Sequence, residues 1–381
     1  MTEKLYETDS HIKSFEASVV KSGERGGKFY AVLDKTAFFP EGGGQASDKG
    51  KIGNVNVYDV QIIDGEILHY TDEKVEESID VNCRIDWKRR FRNMQNHSGE
   101  HILSGIIHKL YGYDNVGFHL GEDYVTMDIS DVLDRTQLCE VERMANEAVY
   151  ENAAFTAYYP TADELVKTDY RSKSGIEGNV RLVKIEGYDI CACCAPHVKS
   201  ASEIGIIKIL DFHKLRGGIR MFIKCGTDAL EDYNERYFAT AETAEMLSLK
   251  QNETVRGVRQ LLEQTAEFKS ELSDMRKRLI ELKVNSFNGS AYETAIFEDG
   301  FNMKELQLTA DRLYKRLGGI RAVFSGADNK YDFAVCGEPD ELDKFFDEFK
   351  HKFEVKGGGR NGMVQGTVIA TGDELSAYFK K

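Results

Sequence analysis

Proline is scarce in this chain, four among 381 residues. None falls between Pro196 and Pro339, so nothing of that kind breaks a long helix there. Long apolar runs are missing too. The opening "MTEKLYETDS" has no apolar signal core and no run is long enough to span a bilayer, which excludes a membrane-spanning protein and makes the cytoplasm the expected compartment. Cysteine is sparse and odd in number, seven in all; with thiols kept reduced, a disulfide framework is excluded. Positive charge is in deficit, with 50 Lys and Arg against 64 Asp and Glu and a net charge of −14. That balance argues against a generic nucleic-acid coat but not against a local basic site.

What is present reads as a soluble globular protein of several domains, 41% hydrophobic and 30% charged,. Residues 1–90 alternate or cluster β-branched and aromatic residues ("FEASVVKS", "KFYAVLD", "VNVYDVQIID") between Gly and Asp, which predicts a small β-barrel or sandwich. Over 91–232 the pattern mixes helices with strands, one helix over Asn93–Tyr111 and another over Thr136–Ala154, an α+β domain. Over 233–287 apolar residues step by three or four, from Val255 through Leu262, Phe268 and Met275 to Leu282. This predicts a long helical arm, in a coiled coil or a helical hairpin and about 75 Å if continuous, that fits a spacer or a dimer seam equally. Residues 288–381 read as a small α/β domain ending in "KGGGRNGMVQG". The overall class is α+β.

Three motifs carry chemistry. In "HSGEH", His97 and His101 stand at i and i+4 on one helix face, so both imidazoles can reach one metal ion. In "CCAPHV", Cys193 and His197 add a thiolate and a third imidazole, and together the four make a Cys/His₃ set of the kind zinc prefers. Cys194 is the alternative ligand, since a Cys-x-x-His spacing is also feasible. In "FFPEGGGQASD", Gly42, Gly43 and Gly44 leave backbone amides open to a phosphate or ribose, flanked by Glu41 and Gln45; the bland alternative is a tight β-turn. The run "DWKRRFRNMQNH" sets Lys88, Arg89, Arg90 and Arg92 just before the first histidine, and an ordinary solvated charge run is its bland reading. His-x-x-Glu-His is also the inverzincin pattern, with Glu100 as general base, but that protease mechanism wants an acidic third ligand. A third possibility is an RNA-binding module in which zinc only staples the fold.

The order "FFPEGGGQASDKG", "HSGEH", "CCAPHV" resembles the editing domain of alanyl-tRNA synthetases and the free-standing alanyl-tRNA editing proteins. Family members usually read Cys-Gly-Gly-Thr-His-Val at the third motif; here Ala195-Pro196 stands in place of Gly-Thr, which keeps both ligand positions and changes the wall. A glutamine usually follows the first histidine pair, whereas this chain reads "VGFHLGEDYVTMDI", with His119 the nearest polar group. The tail resembles the glycine-rich motif of the synthetase's C-terminal domain. The resemblance begins at residue 1 with the editing half, so the synthetase core that activates alanine with ATP is not expected. It implies zinc-dependent hydrolysis of a wrong amino acid, serine or glycine, from the alanine tRNA. Zinc is expected on His97, His101, Cys193 and His197, in a closed four-ligand shell or an open three-ligand one. Thr36, Gly42, Gly43, Gly44 and Gln45 are expected around the charged tRNA end, and Arg89, Arg90 and Arg92 on its phosphates. Glu100 and His119 are the candidate catalytic groups. Lys356, Gly357, Gly358, Gly359 and Arg360 are expected on a distant part of the tRNA, and the arm or the C-terminal domain is available for self-association.

Overall fold

The structure, a computed structural model, describes residues 2–121, 124–172, 179–287, 295–327 and 329–380. It divides into two compact units, Met1–Glu242 and Thr243–Lys381. The expected domain limit at 287/288 runs into residues 288–294, outside the described ones.

In the first unit six strands close into a barrel. They are β1 (Ser14–Arg25), β2 (Lys28–Leu33), β3 (Gly50–Ile52), β4 (Val55–Ile63), β5 (Glu66–Thr71) and β6 (Asp80–Ile85). Their order is β1-β2-β5-β4-β3-β6, and β6 returns antiparallel to β1 with Ser14 opposite Arg84. Alternation in the sequence supplies the inward row of Ala17, Val19, Ala31 and Leu33,. Val57 and Val60 are both buried although they lie three apart, because a bulge between Val57 and Asp59 resets the strand's phase,.

Strand β6 leads into the helix α1 (Trp87–Tyr111), capped by the Asp86 carboxylate on the Arg89 N–H and ended by left-handed Gly112,. Beyond it come β7 (Asn115–Leu120), β8 (Val125–Ile129), α2 (Arg135–Tyr150), β9 (Phe155–Tyr158), β10 (Leu182–Ile185), β11 (Asp189–Ala192), β12 (Ile207–Leu215) and β13 (Gly218–Cys225). They form a four-stranded sheet, β12-β13-β8-β7, and a three-stranded one, β9-β10-β11. Met94, Leu103 and Ile107 of α1 share a core with Val141 and Ala148 of α2 and with Met127 and Met221. Helix α2 stops short of the expected Ala154. Asn152 takes φ 57° and the N–H groups of Asn152 and Ala153 turn back to Val149 and Ala148, a Schellman ending with Asn in the left-handed position.

The expected helical arm is not continuous but two helices with a turn between them. After α3 (Thr227–Met246), Ser248 turns left-handed at φ 53°, and the N–H groups of Ser248 and Leu249 bond back to Glu245 and Ala244,. The chain restarts as α4 (Thr254–Ser286), about 50 Å long at 1.5 Å per residue. Gly257 is where the turn lands: a Cβ there would come within 2.5 Å of Leu249. Most of the apolar stripe on α4, Val255 to Leu282, stays exposed. Only near its end do Ile280 and Val284 bury against Leu306, Ala310 and Leu313.

Those three residues belong to α5 (Met303–Leu317), which covers one face of a five-stranded sheet. The sheet is built from β14 (Ala295–Phe297), β15 (Arg321–Ala327), β16 (Lys330–Cys336), β17 (Glu354–Arg360) and β18 (Met363–Ile369) in the order β14-β15-β16-β18-β17. Helices α6 (Pro339–Lys352) and α7 (Gly372–Phe379) cover the other face with Leu342, Phe349 and Leu375 on Phe324 and Phe333. The glycine-rich tail is the β17–β18 hairpin, turned by left-handed Asn361 and Gly362,. Its glycines let the two backbones approach: a Cβ at Gly359 would lie 1.9 Å from the Met363 carbonyl. Lys356 and Arg360 are exposed on this edge strand. Among the described residues no helix is long and apolar enough to cross a membrane.

Candidate metal centre

One face of α1 packs into the core and the other lines a cavity of about 1420 Å³, which runs past His97, Glu100, His101, Gly105 and His108. Two glycines let neighbours close in on the helix, Gly99 on the core side and Gly105 on the side of His101. A Cβ at Gly99 would sit 2.3 Å from Cys225 Sγ, and one at Gly105 2.6 Å from Asp189 Cβ. Opposite the helix, β11 delivers Cys193 and the loop that follows it. The Arg181 guanidinium holds that loop by donating to the carbonyls of Cys193 (3.0 Å) and Ala195 (3.1 Å), and the Ser10 hydroxyl donates to that of His197 (2.7 Å). Ala195, which stands where the usual family motif has its second glycine, is buried against the barrel core.

The four expected ligands come together. One donor atom from each of His97, His101, Cys193 and His197 lies within 4.8 Å of the others. Cys193 Sγ is 3.3 Å from His197 Nε2 and 3.7 Å from His97 Nε2. All three imidazoles are buried. The His97 Nδ1–H donates to Gln45 Oε1 at 2.8 Å, which leaves the Nε2 lone pair facing the thiol,. His197 makes the matching contact, Nδ1 to Ser98 Oγ at 3.1 Å. Burial alone would raise the Cys193 thiol, but His97 and His197, with hydrogen bonds from His101 and His197, bring it well below its ordinary value. Burial pushes His197 down to about 3, so it is a neutral donor. A buried thiolate beside three buried imidazoles is a donor set that a zinc ion takes as it displaces their protons, and these residues fit one. Cys194 is exposed and lies outside this quartet, so the alternative ligand is not the one brought in.

The glycine motif is a tight turn with a purpose. Gly43 and Gly44 have φ 61° and 84°, and Gly42 and Gln45 bond across the turn, a geometry that asks for glycine. The turn docks on β7: the Leu120 N–H donates to the Gly44 carbonyl, and a Cβ on Gly44 would lie 2.3 Å from the Phe118 carbonyl. Only Gly43 of the three lines the cavity. Gln45, expected on the substrate, points instead at His97, and its buried Nε2 has no hydrogen-bond partner among the described residues.

Several expected site residues are elsewhere. Arg90 is fully buried, bonded to Asp48 through Nε (2.9 and 3.0 Å) and to the Ser10 and Ala37 carbonyls; a phosphate cannot reach it. Arg92 pairs with Asp228 and Arg89 donates to the Ser47 carbonyl, because every third or fourth position of α1 turns inward. His119 is exposed and does not line the cavity: on β7 its neighbours Phe118 and Leu120 take the inward face, so the intervening residue points out,. Thr36 is buried in the barrel wall with its hydroxyl on His69 Nε2 (2.8 Å) and on the Phe38 N–H (3.1 Å). Glu100 stays at the cavity. Its Oε1 accepts from Ser104 (2.6 Å) and Asn115, while Oε2 lies 3.8 Å from His101 Nε2.

Sequence reasoning missed Ser98, Ser104, Asn115, Phe118 and Arg181. Ser104 could have been found from its i+4 position after Glu100; the others have no local signal.

Known proteins are similar to this chain over the segments that carry these residues and beyond. The model of the threonyl and alanyl tRNA synthetase second additional domain matches residues 180–221, which include Cys193 and His197. That of class II (A) tRNA synthetases matches residues 3–89. The alanyl-tRNA editing protein AlaX-L of Pyrococcus horikoshii is 26% identical over 98% of this chain and 96% of its own length. The chain resembles the alanyl-tRNA editing proteins from end to end. Alanine–tRNA ligases are similar over the same span, that of Ignicoccus hospitalis at 29% and that of Pyrococcus furiosus at 30% identity, and the chain covers 42% of each ligase.

Proposed function

We propose that this protein is an aminoacyl-tRNA deacylase that clears wrong amino acids, serine and glycine, from the alanine tRNA. The observation that carries the reading is the Cys193/His₃ quartet in a cavity lined by cations and aromatic rings, among them Lys4, Lys109, Lys184, Phe118, Tyr159 and Tyr188. In a chain of net charge −14, this lining sets Lys4, Lys109, Arg171, Arg181 and Lys184 against an equal number of carboxylates, a local balance that a phosphate-bearing strand can approach,. His97, His101, Cys193 and His197 hold zinc, which when bound supplies a fixed positive charge in the cavity.

The chemistry asked of the protein is modest, because an aminoacyl ester is already activated. Water attacks the ester carbon, the bond to the ribose oxygen breaks, and the amino acid leaves as its carboxylate while the ribose oxygen takes up a proton. Glu100 is the proposed general base. Ser104 and Asn115 fix its Oε1, and Oε2 is left to take the water's proton,. Gln45 and Ser98 hold His97 and His197 in the tautomers that present Nε2. Phe118, 4.7 Å from the His97 ring, covers that ligand from water. Alanine is smaller than serine and cannot be rejected by size, so discrimination rests on polar contact with the seryl hydroxyl or on the water the site admits. The C-terminal unit, with exposed Lys356 and Arg360, serves a second part of the tRNA.

The test is hydrolysis of seryl-, glycyl- and alanyl-charged alanine tRNA with and without chelator. Seryl and glycyl esters should be cleaved faster than alanyl, and activity should vanish on chelation and return with zinc. Cys193→Ala should lose zinc, whereas Glu100→Gln should keep it and slow hydrolysis by about 10²- to 10⁴-fold. Bound zinc with no cleavage of any charged tRNA would leave an RNA-binding module instead.

A further inference from the structure

We infer that the Arg171–Asp189 ion pair is a positioning device for His101, completing an outer ring of partners around the three metal-binding imidazoles. The inference rests on the metal reading above but not on the substrate. Two histidines have their outer partners in plain view: His97 Nδ1 on Gln45 and His197 Nδ1 on Ser98. His101 does not. Its Nδ1 is sealed from solvent and has no hydrogen-bond partner among the described residues. The carboxylate oxygen Asp189 Oδ2 stands 3.6 Å away, just beyond hydrogen-bond length.

Three features of the chain hold that carboxylate there. Arg171 grips it with both arms of its guanidinium, Nε to Oδ1 at 2.8 Å and one terminal nitrogen to Oδ2 at 2.6 Å, the bidentate geometry that fixes a carboxylate's orientation. The Arg171 backbone is itself laced to β11, its N–H on the Ile190 carbonyl (2.8 Å) and its carbonyl on the Ala192 N–H (2.9 Å). Gly105, one helical turn after His101, leaves the space Asp189 occupies, since any Cβ there would strike Asp189 Cβ at 2.6 Å. A surface ion pair would explain the grip of Arg171. It would not explain a side chain 3% exposed, a glycine cleared for it, or a sealed ring nitrogen left facing it.

The physical consequence is definite. A carboxylate that accepts the Nδ1 proton keeps the imidazole in the tautomer whose Nε2 lone pair is free, aims the ring, and makes that nitrogen a better donor.

Zinc affinity of the full chain, measured by competition with a chromogenic chelator at one fixed pH, tests the proposal. Asp189→Asn should bind zinc about 10- to 100-fold more weakly than wild type, and the ligand-field bands of the cobalt-substituted protein should shift. Arg171→Met, which leaves the carboxylate unclamped, should weaken zinc binding in the same direction. Wild-type affinity and an unchanged cobalt spectrum in both variants would overturn the inference while leaving the metal site intact. Nitrogen-15 NMR of histidine-labelled wild-type protein with zinc gives a reading that needs no variant. His101 should carry metal on Nε2 and a proton on Nδ1. Metal on Nδ1, or two zinc ions per chain with the second on Asp189 and Cys191, overturns it; a wild-type chain that takes up no zinc overturns it together with the metal reading.

Discussion

His69 lies fully buried in the barrel, donating from Nδ1 to the Ala31 carbonyl (3.0 Å) and accepting the Thr36 hydroxyl at Nε2. Burial pulls its pKa from 6.5 to about 4, so the folded protein holds it neutral. Between those values the unfolded chain binds a proton that the folded one refuses, and stability must therefore rise with pH. The contribution is complete above pH 6.5 and lost as pH falls toward 4, about 3 kcal/mol at 1.36 kcal/mol per pKa unit. Denaturant unfolding followed through Trp87, the one tryptophan of the chain, should show this slope in wild type and not in His69→Gln. Equal slopes would mean that other groups set the acid limit. The same residue redirects the expectation for Thr36, whose hydroxyl is committed inside the wall rather than offered to a seryl group.

The glycine loop and α1 are locked to each other by a buried pair. Asp48 accepts the Phe39 N–H at 2.6 Å, closing the loop that starts at Phe39, and receives the Arg90 guanidinium from the helix. Both side chains are fully buried. Replacing Asp48 with Ala would strand the Arg90 charge, a loss of about 3–5 kcal/mol. It should also loosen the Gln45–His97 contact, which the same loop carries. The check is a denaturation midpoint for Asp48→Ala beside Arg89→Ala, a half-buried neighbour expected to cost far less; similar losses would refute the lock. At this scale periodicity was informative for α1, because a helix repeats every 3.6 residues and His97, Glu100 and His101 fall within about one turn. The same spacing over Val255–Leu282 marks α4, whereas the break before it was not legible, because Ser248, a residue without glycine's freedom, takes the left-handed position that ends α3.

Every residue lining the cavity precedes residue 196, whereas the exposed cations of the β17–β18 hairpin lie at the far end of the chain. If the two parts grip separate regions of one tRNA, their affinities multiply through effective concentration. A chain ending at Leu249 should then hydrolyse a short charged acceptor-stem minihelix at near the full-length rate, yet bind intact tRNA about 10²-fold more weakly or worse. Tighter discrimination comes from measuring solution mass on the same protein. A change in mass with tRNA affinity retained would show that the second unit, through the exposed stripe of α4, serves self-association instead.

From the sequence alone the Cys/His₃ quartet could be named, since two of its members share a helix face and two share a loop, and the structure brings the four donor atoms within 4.8 Å of one another. The glycine turn could be read for the same reason: its conformation is local. What they are for was decided by tertiary contact. Gln45 meets His97 across 52 residues, and Arg90 meets Asp48 across 42. No short-range pattern encodes a partner at such distances. Strand phase turned His119 outward and Phe118 in, and the docking of β11 against Gly105 brought Asp189 to His101. These outcomes depend on which faces the core claims first: burying apolar surface fixes the packing of α1 on its sheets and on the barrel, and each polar side chain then finds whatever partner that packing has left beside it.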